Sequence, residues 1–158
     1  EDVIVIQNGI LLDYMSNRFD APLINTTPKG NGRAFNYKDE PIVRMRNTCI
    51  MPGKDKLEDM IKSTENGYYL ISWGNGQADG TSEFMFGITM GYEIKDGKLG
   101  KAIRDTTLSG VAFDMLKTVT MVGDEIKWAA NGTCGKKQPM GNAMGGPALK
   151  CRATLGGR

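Results

Sequence analysis

Short runs of alternating apolar and polar residues fill most of the chain, and turn-forming residues separate them. Such alternation is the pattern of a half-buried β-strand, and an Asn-Gly or Asp-Gly pair between two runs indicates a hairpin. The pattern predicts three hairpins, formed by residues 3–7 with 10–12, 83–94 with 98–103, and 118–122 with 125–129. It also predicts single strands at residues 42–51, 67–73 and 148–154.

Three other stretches carry apolar residues at helical spacing. In residues 54–66, Leu57 and Met60 share one stripe, acidic residues occupy the first turns, and a glycine follows. Shorter helices are predicted at residues 13–19 and 109–117, and glycine-rich polar loops at residues 74–82 and 132–147. These elements predict one domain over residues 1–158, an α+β fold of mainly antiparallel β-sheet or barrel-like form with two or more short helices.

The composition excludes several classes of protein. With 40% hydrophobic and 24% charged residues among 158, the chain is typical of soluble globular proteins. A net charge of +2, with lysine and arginine scattered among acids, gives no basis for direct binding to nucleic acid. No apolar run is long enough to span a bilayer. The three cysteines form no CxxC pair and no secretion signal is visible, so we expect reduced thiols and a cytoplasmic location.

The chain contains no histidine. A Ser-His-Asp or Cys-His catalytic set therefore cannot be assembled from its residues alone, and neither can a zinc site with imidazole ligands. Either the protein is not a hydrolase of these types, or the missing groups lie on sequence outside this stretch. The chain opens inside a strand-like pattern, which suggests a piece of something longer.

Cys134 lies in the glycine-rich sequence Gly132-Thr133-Cys134-Gly135-Lys136. Glycines beside a reactive residue indicate a sharp bend or a close approach of the backbone. The thiol could therefore serve as a metal ligand or a nucleophile. On residue chemistry alone, an inert thiol in a tight turn is the commoner case, since buried structural cysteine is frequent and one cysteine makes no site.

Several motifs, taken in order and spacing, carry a resemblance to a known family. They are Gln7-Asn8-Gly9 with Tyr14-Met15, Thr27-Pro28-Lys29-Gly30-Asn31-Gly32-Arg33, Arg44-Met45-Arg46-Asn47-Thr48 with Met51-Pro52-Gly53, Gly74-Asn75-Gly76-Gln77-Ala78-Asp79-Gly80-Thr81-Ser82, Met121-Val122-Gly123-Asp124, Cys134-Gly135-Lys136 and Gly156-Gly157. Together they resemble the C-terminal domain of the TldD/PmbA family of metallopeptidases, also described as modulators of DNA gyrase. The Gly-Asn-Gly-Arg loop and the Arg-Asn-Thr strand are closer to TldD than to PmbA (TldE).

The resemblance implies a zinc peptidase. In TldD-like enzymes two histidines of an HExxxH helix and one cysteine hold zinc, and the glutamate of that motif is the general base. The matching cysteine is Cys134, so the resemblance implies that it is a zinc ligand and not an inert thiol in a turn. The HExxxH part would lie upstream of Glu1, so the resemblance implies no catalytic residue in this chain and no activity of the chain alone.

Six further residues are candidates for binding the substrate. Four of them could recognise a peptide backbone or carboxylate through planar, bidentate contacts; the alternative for these is a solvated strand face with loop-bracing hydrogen bonds. The other two could line the cleft or support a metal ligand from the second shell; the alternative for them is turn chemistry. The first set is Arg33, Arg44, Arg46 and Asn47, and the second is Gln77 and Asp79.

The resemblance also implies partners. The substrate would be a peptide or unfolded protein, which a sheet-rich domain could bind in extended form by strand addition. The full-length protein would be a homodimer or a heterodimer with a TldE/PmbA-like subunit. Because PmbA-like members lack the metal motif, the alternative function is that of a non-catalytic partner or assembly module. The DNA gyrase label implies an indirect effect, and we expect neither direct nucleic-acid binding nor membrane binding.

Overall fold

The computed structural model describes residues 2–156, apart from the side chain of Asn131. The terminal motif residue Gly157 lies outside the described residues. In chain order the strands are β1 (Ile6–Gln7), β2 (Ile10–Leu11), β3 (Gly32–Arg33), β4 (Ile42–Val43), β5 (Thr48–Cys49), β6 (Asn66–Ala78), β7 (Glu83–Lys95), β8 (Lys98–Ile103), β9 (Thr106–Val111), β10 (Met121–Val122), β11 (Lys127–Cys134), β12 (Met140–Gly146), β13 (Leu149–Lys150) and β14 (Thr154–Gly156). The helices are α1 (Leu57–Lys62) and α2 (Ala112–Lys117), with a 3-10 helix at Ala21–Ile24.

The elements divide into two compact units. The first comprises residues 2–50 and 127–146, and the second comprises residues 51–126 and 147–156. Within the described residues, no helix is long and apolar enough to cross a membrane. The predicted α+β class is confirmed, because strands are mainly antiparallel and both α-helices are short.

The first unit is built from three small sheets. β1 pairs with β2 and β3 pairs with β4, both antiparallel, while the third sheet has the order β11-β12-β5. In that sheet β11 and β12 form an antiparallel hairpin, with Cys134 opposite Met140. β5 adds to β12 in parallel, with Thr48 opposite Met144.

The second unit is built around a five-stranded antiparallel sheet. Its order is β14-β9-β7-β6, and β8 also pairs with β7. One face of the long strand β7 is apolar: Ile88 and Ile94 are buried, and Phe86 meets Trp73 edge-on, with ring centroids 5.9 Å apart. β10 and β13 form a separate two-stranded pair.

Two of the three predicted hairpins are confirmed, and the backbone conformation of their turn residues explains why they form. Asn8 and Gly9 join β1 to β2, and Asp96 and Gly97 join β7 to β8. All four residues have positive φ, between 49° and 77°. Two successive positive φ angles define the turn whose twist matches that of the flanking strands, and Asn-Gly and Asp-Gly tolerate them best.

The third predicted hairpin, residues 118–122 with 125–129, is wrong. β10 pairs with β13, whereas β11 pairs with β12. The residues expected to turn are bonded elsewhere: the Gly123 N–H donates to the Ala148 carbonyl, and the Asp55 carboxylate accepts the Val122 N–H. These contacts are far apart in sequence, so the local pattern did not contain them.

The helix predicted at residues 13–19 is also wrong. The Asp13 carboxylate accepts hydrogen bonds from the Tyr14 N–H and the Thr26 hydroxyl, and the Asn17 side chain accepts the N–H groups of Phe19 and Asp20. Short polar side chains that bond nearby backbone groups compete with helix formation. The chain therefore turns here and forms the 3-10 helix that follows.

The two remaining helices are shorter than predicted. α1 ends at Lys62, since the Ser63 and Thr64 hydroxyls donate to the carbonyls of Asp59 and Met60. α2 begins at Ala112, because residues 109–111 complete β9 against β7. The strands predicted at 42–51 and 148–154 each divide into two short strands.

Both glycine-rich loops are largely strand. β6 continues through Gly74–Gly76 to Ala78, with register shifts that absorb the irregularity. The stretch 132–147 contains the end of β11 and all of β12. Glycine is depleted in strands on average, but here the missing side chain leaves room for a large side chain on the neighbouring strand. A Cβ at Gly145, for instance, would lie 2.7 Å from the Trp128 ring.

Gly76→Ala should destabilise the protein by about 1–3 kcal/mol, the usual cost of overpacking. A Cβ at Gly76 would overlap the Phe86 ring and lie 2.7 Å from the Met85 carbonyl oxygen. Denaturant unfolding measures the loss, and Gly80→Ala in the same unit is the matched control, because no atom lies within 4 Å of its added Cβ. Equal stability of the two variants would contradict this packing.

Candidate functional site

Cys134 is the last residue of strand β11, where the chain leaves the β11–β12 hairpin for its turn at residues 135–139. The side chain is half-buried, and the opposite residue Met140 is buried. Within the described part of the chain, neither Cys134 nor Cys151 forms a disulfide. The sequence predicted a loop cysteine, whereas the structure holds it at a defined strand register.

Arg44 lies next to this turn and is buried, with 1% of its surface exposed. Its guanidinium donates hydrogen bonds to three backbone carbonyls: that of Cys134, that of Lys136 at 2.7 Å and that of Gln138 at 2.6 Å. A planar guanidinium suits such a fork of acceptors better than an ammonium does. The alternative of a solvated strand face does not hold at Arg44, which is buried, although its hydrogen bonds do brace a loop.

The electrostatics of the site favour the thiolate form of Cys134. The pKa of its thiol is lowered, first by a hydrogen bond from Arg44 and then by the Lys136 backbone N–H, against an opposing effect of burial. The positive charges of Arg44 and Lys136 act in the same direction. A thiolate is the form that binds metals and attacks electrophiles, so this cysteine is chemically prepared for either role.

A chain of buried polar groups supports Arg44 from behind. Asn31 is directly opposite Arg44, where it continues the β3–β4 ladder: the Arg44 N–H donates to the Asn31 carbonyl at 2.9 Å, and the Asn31 side-chain amide donates to the Arg44 carbonyl at 3.2 Å. The Asn31 N–H donates in turn to the carbonyl of buried Ser16. The Ser16 hydroxyl bonds to the Thr27 carbonyl.

Gln138 holds the other side of the turn. Its amide nitrogen donates to the Glu40 carbonyl at 2.8 Å, and its amide oxygen accepts the Phe35 N–H at 2.9 Å. The turn is therefore fixed both through its carbonyls and through a side chain.

Three of the predicted substrate-binding residues lie in the same unit. The Arg33 guanidinium donates to the Met45 carbonyl at 3.3 Å, and the Asn47 side-chain oxygen accepts the Ala143 N–H on β12 at 3.0 Å. Arg46, which directly precedes Asn47 in the sequence, is half-buried. Segment 44–48 is thus joined to both strands of the Cys134 hairpin, at Cys134 and at Ala143.

Gln77 and Asp79 belong to the second unit, at the end of β6. Gln77, Met85 and Ser109 are in one row across three strands and line a shallow groove of about 430 Å³ with Asp79 and Val111. Asp79 also makes a turn, because its carboxylate accepts hydrogen bonds from the N–H and hydroxyl of Thr81, which lower its pKa.

The sequence did not identify the supporting residues Ser16, Asn31 and Gln138. The sequence did contain an indication for Asn31, because it lies between two glycines, and glycines are expected where backbones approach closely. Ser16 gave none, because a buried serine cannot be told from an exposed one within a polar stretch. Gln138 lay in a stretch interpreted as a loop.

The one donor that this site offers, the Cys134 thiolate, is compatible with zinc. A half-buried cysteine whose thiolate is stabilised is a suitable zinc ligand. The described residues contain no cluster of three or more His, Cys, Asp or Glu side chains arranged to hold a metal. Cys134 can therefore be one ligand of a zinc ion, and it cannot form a site with its described neighbours.

In metal-free protein, iodoacetamide should alkylate Cys134 faster than Cys151 at about neutral pH. The Arg44 hydrogen bond lowers the pKa of Cys134, which raises its thiolate fraction at any pH below the ordinary thiol pKa, while burial raises the pKa of Cys151. The alkylation rate of Cys134 should also reach its plateau at the lower pH. Mass spectrometry of quenched samples measures both rates. Faster reaction at Cys151 would contradict the assignment.

The chain is similar to known metalloproteases over nearly all of its length. The profile of the PmbA/TldA metallopeptidase C-terminal domain matches residues 1–155. A metalloprotease TldD homolog of Buchnera aphidicola (from Schizaphis graminum) is 41% identical over 98% of this chain and 33% of its own length. A zinc metalloprotease TldD homolog of Saccharolobus solfataricus is 30% identical over 96% of this chain and 34% of its own length.

Solved structures share the fold. TldE from Thermococcus kodakarensis superimposes with a TM-score of 0.75 at 20% identity, over 97% of this chain and 33% of that one. A putative modulator of a DNA gyrase from Thermotoga maritima gives 0.71 at 22% identity, over 96% of this chain and 32% of that one. The chain spans about a third of the length of the relatives that it matches. With the family profile covering nearly all of its residues, the chain belongs to the PmbA/TldD metallopeptidase family, as a C-terminal domain.

Proposed function

We propose that this chain is the C-terminal domain of a TldD-like zinc metallopeptidase that hydrolyses peptides or unfolded proteins. The observation that carries the proposal is Cys134, a half-buried cysteine whose thiolate is stabilised by Arg44 at the end of a strand. The names of the TldD relatives support the same activity class.

Cys134 would supply one zinc ligand, and the remainder of the full-length protein would supply the others together with the general base. Bound zinc polarises a carbonyl and activates water for hydrolysis. The part of this chain is to present the sulfur at a fixed position. Backbone hydrogen bonds within the β11–β12 hairpin and side-chain hydrogen bonds from Arg44 and Gln138 provide that rigidity.

In the second unit, substrate binding would use the edge of a sheet together with Gln77 and Asp79. Among the described strands, β6 pairs only with β7, so its other edge offers backbone groups to an extended peptide. Exposed Tyr68, Ile71 and Trp73 on the same strand offer apolar contact. Gln77 and Asp79 lie at the end of this strand and line the groove there, and they would contact side chains of a peptide that continues along the strand.

The four candidates in the first unit, Arg33, Arg44, Arg46 and Asn47, would act differently from one another. Arg33 and Arg46 are half-buried, and their guanidinium groups would bind a peptide carbonyl or carboxylate. Asn47 and Arg44 are bonded to the Cys134 hairpin, so we propose that they position it instead of contacting the peptide.

The working assembly would be a homodimer or a heterodimer with a TldE/PmbA-like subunit, in the cytoplasm. The likeness of this fold to a TldE chain is consistent with either form. Action on nucleic acid is not proposed, because the charge of +2 is small and dispersed.

Cys134→Ser in the full-length protein should lower zinc affinity and peptide hydrolysis by more than about 100-fold, beyond what loss of a supporting residue costs. The 158-residue chain alone should hydrolyse nothing. Metal analysis and a peptide assay measure both quantities, and Cys151→Ala is the control thiol. A wild-type protein without zinc, unaffected by Cys134→Ser, would favour the non-catalytic partner module.

N-methylation of a peptide substrate at alternate residues should raise KM about tenfold, and methylation at the intervening residues should change it little. In strand addition to β6, only every second peptide N–H donates to the edge, and each lost hydrogen bond costs about 1 kcal/mol or somewhat more. A scan of singly methylated peptides with full-length protein measures the pattern. A uniform effect along the peptide would rule out strand addition.

A further inference from the structure

We propose that Arg44 is a positioning residue: its buried guanidinium sets the conformation of the turn after Cys134 and so aims the sulfur at the metal. This inference rests on the proposed function, since it concerns the same metal site. It assigns to Arg44 a role through Cys134 in place of a contact with the substrate.

The geometry of the hydrogen bonds carries the inference. Arg44 bonds to the carbonyls of residues 134, 136 and 138, which are alternate residues of one turn. A single rigid group that binds three alternate carbonyls fixes the path of the chain between them. The Lys137 backbone, at a φ of 54°, lies inside this path in a conformation that costs energy for a residue with a side chain. The turn is therefore held by Arg44 and would not be favoured by its own sequence.

Arg44 is buried although a buried charge is costly, which indicates that the charge has a functional role. Within the described residues no carboxylate forms an ion pair with it, although six ion pairs are present elsewhere. A buried charge is costly unless it is well compensated, and apolar residues usually fill such a site at least as stably. The two terminal nitrogens of the guanidinium are compensated by the carbonyls of residues 134, 136 and 138, whereas Nε is buried without a hydrogen-bond partner. The first of these carbonyls belongs to Cys134, so the guanidinium holds the backbone of the residue that carries the thiol.

The support behind Arg44 fits the same role. Asn31 is 2% exposed and brackets the Arg44 backbone with one bond in each direction. Ser16, with no exposed surface, holds the Asn31 N–H through its carbonyl. Such successive layers of hydrogen bonds are how proteins orient metal ligands.

The experiment compares three forms of the full-length protein: wild type, Arg44→Met and Arg44→Lys. Methionine keeps a long side chain without donors, and lysine keeps the charge but cannot form the three-carbonyl fork. Zinc affinity is measured by competition with a chromophoric chelator. The cobalt form is examined for the near-ultraviolet charge-transfer band of a cobalt–thiolate bond. Hydrogen exchange of the amides of residues 135–138 is measured on the metal-free protein.

We expect Arg44→Met to lower zinc affinity about 10- to 100-fold, to weaken or shift the cobalt–thiolate band, and to speed exchange in residues 135–138. Arg44→Lys should lie between Arg44→Met and wild type in all three. Two controls should match wild type in affinity and spectrum. Arg104→Met removes an exposed arginine, and Ile88→Ala destabilises the buried face of β7 without touching the turn.

The outcomes separate this inference from the proposed function. Unchanged zinc affinity and spectrum in folded Arg44→Met would overturn the positioning role, as would an equal loss in Ile88→Ala. If wild type binds no zinc, the proposed function fails. Hydrogen exchange of residues 135–138 in the metal-free protein then decides whether Arg44 sets the turn. Equal exchange rates in wild type and Arg44→Met would overturn that role. If Arg44→Met does not fold, Arg44→Lys decides by the same measurements.

Discussion

The hydrogen bonds from the Arg44 guanidinium to the carbonyls of residues 134, 136 and 138 are the interaction on which the site depends. They fix the carbonyls of this turn, and they place a positive charge beside Cys134, whose thiol pKa is lowered. The constraint extends outward through Asn31 to Ser16 and across the turn through Gln138. A sulfur atom presented by such a network needs little reorganisation when it binds a metal, and low reorganisation is what a tight catalytic site requires.

The hairpin that carries Cys134 shows how glycine serves packing within a strand. Gly132 is opposite Asn142, and a Cβ there would lie 2.7 Å from the Asn142 side-chain oxygen. Gly145 gives the same kind of room to Trp128. Larger residues at these positions would push the two strands apart. The glycine content of this stretch therefore reflects close packing between β11 and β12 as well as turning.

The sequence predicted those parts of the fold that depend on neighbours in the chain. The turns at Asn8-Gly9 and Asp96-Gly97 follow from the backbone preferences of those residues, and the α+β class follows from the spacing of the strands. It failed where distant residues decide the outcome. β10 pairs with β13 instead of its neighbour, and β6 runs on through glycines because β7 is there to receive it. The site shows the same division: Cys134 was identified through a family resemblance, whereas the burial of Arg44 depends on a turn some 90 residues away.

The most direct test of the account is the zinc K-edge X-ray absorption spectrum of the full-length protein. If Cys134 is a ligand, the spectrum contains one sulfur at about 2.3 Å among lighter donors, and this contribution disappears in Cys134→Ser. A wild-type spectrum of nitrogen and oxygen donors only, unchanged by the substitution, would contradict the central claim that this hairpin exists to present a thiolate to zinc.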